Sequence, residues 1–85
     1  MEEKEIGTVI SFFAKISVAA IKITDEELRT GDTIHLKGHT TDFQQTVGSM
    51  QIDNESVSVA KAGDSIGIKV DERVRGNDIV YKVIA

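Results

Sequence analysis

The chain has 85 residues, enough for one domain, and a domain this small buries only about 60–65% of the surface its unfolded chain exposes. It contains no cysteine, which excludes a disulfide framework and a thiolate metal site. Fourteen Asp and Glu against ten Lys and Arg leave a net charge of −4, the reverse of the basic excess that marks a dedicated nucleic-acid binder.

The acidic excess is uneven. Residues 1–32 hold seven acids and four bases, a net of −3, and residues 33–85 hold seven acids and six bases, a net of −1. The first five residues, Met-Glu-Glu-Lys-Glu, predict a flexible acidic tail rather than the basic start of a signal peptide. No apolar run approaches the length that crosses a membrane, so a cytoplasmic location is the expectation.

Ile6 to Ile23 is rich in β-branched residues, which suit strands better than helix. It predicts two antiparallel strands joined by a tight connection near Ala14–Ile16, with the rings of Phe12 and Phe13 on opposite faces. Thr24 to Glu27 predicts a loop with at most one 3₁₀ turn. From Leu28 to Ile52 the pattern is turn, strand, loop, strand. Gly31-Asp32 is the turn, because glycine tolerates positive φ and aspartate bonds nearby backbone. Thr33 to Lys37 alternates with Ile34 and Leu36 on one side, the period of a half-buried strand. Thr46 to Ile52 is a second extended run, and residues 39–45 between them form a polar loop.

The turn signal returns at Gly63-Asp64 and, more loosely, at Gly76-Asn77-Asp78. Each copy precedes a strand-like run, as hairpin punctuation does in an all-β fold. Val57 to Lys61 reads either as a short edge strand or as a tucked loop. Ile66 to Val70 is a strand whose central Gly67 marks a bulge or a close backbone approach. Ile79 to Ile84 closes the chain. Together these elements predict a single all-β domain, a small closed or nearly closed barrel of six or seven mostly antiparallel strands. Its predicted core is Val9, Val18, Ile21, Ile34, Leu36, Val47, Met50, Ile52, Ile66, Ile68, Val70, Val80 and Val83, with one of Phe12 and Phe13.

The order of these pieces resembles the domain 2 β-barrel of the translation GTPases, the elongation factor Tu and 1A family. The resemblance is carried by Ile6-Gly7-Thr8-Val9, Leu28-Arg29-Thr30-Gly31-Asp32-Thr33-Ile34, Thr46-Val47-Gly48-Ser49-Met50-Gln51-Ile52, Ala62-Gly63-Asp64-Ser65-Ile66-Gly67-Ile68 and Val74-Arg75-Gly76-Asn77. It implies a barrel that contacts ribosomal RNA, the acceptor end of tRNA or neighbouring domains. It does not imply a GTPase, because the chain has no G-x-x-x-x-G-K-[ST] phosphate loop and no nucleotide cofactor is expected.

Catalysis and metal binding are not expected either. His35 and His39 stand four apart but straddle Gly38 at a strand end, and no cysteine or third histidine completes a ligand set. No serine or threonine sits in a nucleophile motif. The polar loop is the candidate site, with His39, Thr40, Thr41, Gln44 and Gln45 as hydrogen-bonding groups and Phe43 as a ring on which a base can stack. Lys37 flanks it, and Arg73 and Arg75 supply further cations. The competing reading has Phe43 plugging the barrel end among solvated polar residues. Two functions therefore stand as expectations: an RNA- or ribosome-contact module, which the resemblance favours, and a protein-interaction adaptor or self-associating module, which the acidic balance favours.

Overall fold

A computed structural model describes residues 2–84. Those residues form ten strands and no helix: β1 Glu3–Phe13, β2 Val18–Ile23, β3 Glu27–Arg29, β4 Thr33–Lys37, β5 Asp42–Thr46, β6 Met50–Ile52, β7 Glu55–Val57, β8 Val59–Lys61, β9 Ser65–Lys69 and β10 Ile79–Val83. Eight of them make one sheet in the order β5-β4-β10-β1-β2-β9-β6-β7, and β3 with β8 makes a separate ribbon. Every pairing is antiparallel. The all-β expectation holds.

The strand count is higher than the six or seven predicted, and the reasons are local. Asp53 and Asn54 both have positive φ, at 51° and 68°. With Ile52 paired to Glu55, they form the two-residue turn whose twist suits a hairpin, so Glu55–Val57 folds back on β6 as a further strand, β7. Val47 leaves the β5 ladder to pair with the Gly31-Asp32 turn, which splits Thr46–Ile52. Glu27–Arg29, predicted as loop, pairs with β8 because Leu28 opposite Ala60 buries both side chains completely. The predicted tail is also corrected. Glu3, Lys4 and Glu5 pair with Val83, Lys82 and Tyr81, while Met1 lies outside the described residues.

β1 is the longest strand and serves two neighbours, β10 along its first half and β2 along its second. It bends between them through register shifts at Glu5/Gly7 and Val9/Ser11, as bulges do where a sheet curves. Gly7 sits at the crossover, where a Cβ would run into the carbonyl of Lys22. The curved sheet and the ribbon enclose one core that includes Ile6, Ile21, Ile23, Leu28, Ile34, Leu36 and Ile68. Most of the predicted core is in it. Val18 and Val83 are only half-buried, whereas Ile6, Ala19, Ile23, Ala60 and Val74 are buried without having been predicted. Phe12 packs against the core and Phe13 faces solvent.

The three turn signals build one device three times. In Arg29–Asp32, Lys61–Asp64 and Arg75–Asp78 the aspartate carboxylate accepts the amide N–H of the basic residue three positions earlier, at 2.9, 2.8 and 2.8 Å. The third residue has positive φ in each, 95° at Gly31, 98° at Gly63 and 74° at Asn77. Each turn then exchanges a pair of backbone hydrogen bonds with a buried aliphatic residue from elsewhere: Val47, Ile23 and Val9 respectively.

Candidate functional site

The loop expected at 39–45 is instead the tip and second strand of a hairpin. Phe43 pairs with Leu36 across β4 and β5 and is partly buried against the core, closer to the plug arrangement than to an exposed ring. Thr41 is buried. Gln45 is buried and uses both ends of its amide: Nε2 donates to the carbonyl of Lys69 at 2.9 Å, and Oε1 accepts the N–H of Asp71 at 2.7 Å. Lys37, His39, Thr40, Gln44, Arg73 and Arg75 are exposed. The turn that begins at Arg75 reaches the hairpin through Asp78, whose carboxylate lies over Gly38 where a Cβ would otherwise sit.

His35 belongs to a different arrangement from any that its sequence neighbours suggest. Its Nδ1 lies 2.8 Å from Oε2 of Glu3 and its Nε2 lies 2.5 Å from Oδ1 of Asp42. With a carboxylate at each nitrogen, the protonated ring can donate on both sides, so the arrangement favours the imidazolium over the neutral ring. The Asp42 and Glu3 hydrogen bonds raise its pKa against the opposing effect of burial, and His35 lowers that of Asp42 in return. Among the described residues no group of three or more His, Cys, Asp or Glu could hold a metal ion.

A concave feature of the surface lies elsewhere, on the outer face of β1, β2, β9 and β6. It is an open groove of about 540 Å³ lined by Phe13, Ile16, Val18, Ala20, Gln51, Asp53, Asn54, Ser65, Ile66 and Gly67. Its floor is the Ala20–Gly67 pair across β2 and β9, with Gln51 paired to the far side of Gly67. One wall is the β1–β2 turn. There Ser17, at φ 54°, lets the chain reverse, and its carbonyl accepts the N–H of Val70 at 2.9 Å. That anchor holds Phe13 and Ile16 up while they remain 51% and 61% exposed. The other wall is the Asp53-Asn54 turn and Ser65. The sequence signals for this site were the adjacent phenylalanines and Gly67; what joins them is strand pairing between residues about fifty positions apart.

No family model matches the chain. Over 78 residues, 91% of its length, it is 44% identical to an uncharacterized protease of Methanocaldococcus jannaschii. Over the same extent it is 35% identical to a collagenase of Porphyromonas gingivalis. The matched segments make up 19% and 22% of those proteins, so the chain spans about a fifth of the curated relatives it matches. Among solved structures, the C-terminal domain of a candidate U32 peptidase of Geobacillus thermoleovorans superposes with a TM-score of 0.88 over 95% of this chain and 93% of that one, at 15% identity. A selenomethionine variant of the same domain gives 0.85.

These matches overturn the resemblance to translation GTPases. The sequence relatives are a protease and a collagenase, and the fold matches a domain from a peptidase. The motifs behind the earlier resemblance are mainly glycine–aspartate turns between short strands, which report how a small β-domain is built and not what it binds. The RNA- or ribosome-contact reading falls with it. Among the described residues no helix is long and apolar enough to cross a membrane.

Proposed function

We propose that this chain is the accessory β-domain of a U32-type peptidase, a folded binding unit that works beside a separate catalytic part. The observation that carries this reading is the mismatch of coverage. A protease aligns with 91% of this chain at 44% identity while the segment is only 19% of the protease. The superposition on a C-terminal peptidase domain supports the same placement. A cytoplasmic setting belongs to the same proposal. So does a nearly closed barrel: Gln45 on the edge strand β5 spans to the end of β9, which favours a sheet curled until its distant parts meet.

The test uses a matched relative. The Porphyromonas collagenase is assayed on gelatin and on a short peptide, intact, without its aligned 78-residue segment, and with this chain in its place. Removal is expected to raise KM for gelatin about tenfold while kcat on the short peptide stays within about threefold, the pattern of lost binding without lost chemistry. The grafted chain should restore KM, and the chain alone should cleave neither substrate. Cleavage by the chain alone, or an unchanged KM after removal, overturns the reading.

A further inference from the structure

Resting on the accessory-domain reading, we infer that the groove over Gly67 binds an extended polypeptide strand, with its backbone on the Ala20–Gly67 floor, an apolar side chain against Phe13 and Ile16, and a lysine or arginine beside Asp53.

Gly67 carries the first part of this argument. Glycine inside a strand is there for a bulge, a sharp bend or the close approach of a ligand or another backbone. Neither β2 nor β6 shifts register opposite Gly67, so there is no bulge. Its φ is outside the left-handed region, so no turn demands it. A Cβ built on it meets only Cγ1 of Val18, at 3.4 Å, so packing does not demand it either. What the missing side chain does accomplish is a flat, open floor in the middle of a sheet.

The walls select the occupant. Among the described residues, Phe13 and Ile16 are two of the four large apolar side chains that remain mostly exposed, and both stand on one side of this groove. The opposite side offers neutral hydrogen-bonding groups, Gln51, Asn54 and Ser65, suited to the N–H and C=O groups of an extended backbone. Asp53 is the single charged residue among the ten that line it. A basic side chain complements that carboxylate. A second copy of this chain does not, since it brings a net charge of −4.

Fluorescence anisotropy with this chain and two labelled octapeptides tests the inference, one alternating valine with lysine and one alternating valine with glutamate. The lysine peptide is expected to saturate below about 1 mM and to bind about tenfold more tightly than the glutamate peptide. Gly67→Val, which fills the floor, should weaken the lysine peptide about tenfold or more, and Asp53→Asn should bring the two peptides within about twofold of each other. If Gly67→Val fails to give the wild-type circular dichroism spectrum, Ile16→Ser, at an exposed position, takes its place with the same expected direction. No saturable binding, equal affinity for the two peptides, or full affinity in the groove variants overturns the inference. A wild-type dimer in sedimentation that Gly67→Val dissolves overturns it as well, by assigning the groove to a second copy. These measurements use the chain alone, so their failure leaves the collagenase graft result standing. An unchanged KM there with peptide binding intact would remove the accessory role and not the groove.

Discussion

Val9 and Asp78 hold each other through the backbone: the Val9 N–H donates to the Asp78 carbonyl at 2.8 Å, and the Val9 carbonyl accepts the N–H of the adjoining Asn77, also at 2.8 Å. The same exchange joins Ile23 to Gly63-Asp64 and Val47 to Gly31-Asp32. In all three the aspartate side chain closes its own turn, and a fully or nearly buried aliphatic residue is fastened to it. The turns therefore do more than reverse the chain, since each fixes the point where another segment enters the core.

Asp78 is the most consequential of the three, at 5% exposure. Asp78→Ala leaves the Arg75 N–H without its acceptor in a part-buried hydrogen bond to a charged group, a bond worth about 1.5–3 kcal/mol. Asp32→Ala and Asp64→Ala, at less buried turns, should cost less. Urea unfolding midpoints at neutral pH give the order directly, and a smaller loss at Asp78 than at the other two would contradict it.

Gly31, Gly63 and Gly67 separate two reasons for glycine. No atom lies within 4 Å of a Cβ at Gly31 or Gly63, yet both have φ near 95° or above. Alanine there meets only the backbone cost of the left-handed region, about 1–2 kcal/mol. Gly67→Ala meets no such cost and should be neutral or stabilising by about 0.5–1 kcal/mol. Thermal unfolding of the three variants should divide them in that way.

His35 makes stability depend on pH. Its folded pKa is raised above the ordinary 6.5, chiefly by Asp42 and then Glu3. The folded state therefore binds this proton more tightly than the unfolded chain does. That contribution is fully present below pH 6.5 and is lost as pH rises through the folded value. Melting temperatures should fall across that window in the wild type and stay flatter in His35→Gln. A ring titration midpoint at or below 6.5 by NMR would remove the basis for this prediction.

Gln45→Leu should destabilise the domain by about 1–3 kcal/mol, since it leaves both the Lys69 carbonyl and the Asp71 N–H without their partner. Faster amide exchange at Asp71 together with the loss in stability would locate the effect at this crossing. Full protection of that amide would show that the bond is dispensable.

Ile68→Ala should cost about 2–5 kcal/mol, as truncation of a fully buried aliphatic residue does. Ile68 is 0% exposed in a strand paired on both sides, so little collapse around the cavity is available. A loss under 1 kcal/mol in guanidinium unfolding would place Ile68 outside the rigid core.

The all-β class was legible in the residues because period-two alternation and Gly-Asp turns are local properties. Ile34, Leu36, Ile66 and Ile68 face inward for the same reason that Thr33 and Lys69 do not, since a strand's side chains alternate whatever it pairs with. Partnership is a different matter. That Leu28 meets Ala60, that Gln45 crosses to Lys69, that His35 falls between Glu3 and Asp42, and that Phe13 and Gly67 border one groove depend on which strands lie side by side. Phe43 shows the limit most plainly. An aromatic among polar residues leaves exposed ring and plug both open until the pairing of β5 with β4 sets it opposite Leu36 and packs it against the core. Local alternation is set by chain stereochemistry, whereas register and neighbour are set by the burial of the whole apolar set at once, and that is decided only in the folded molecule.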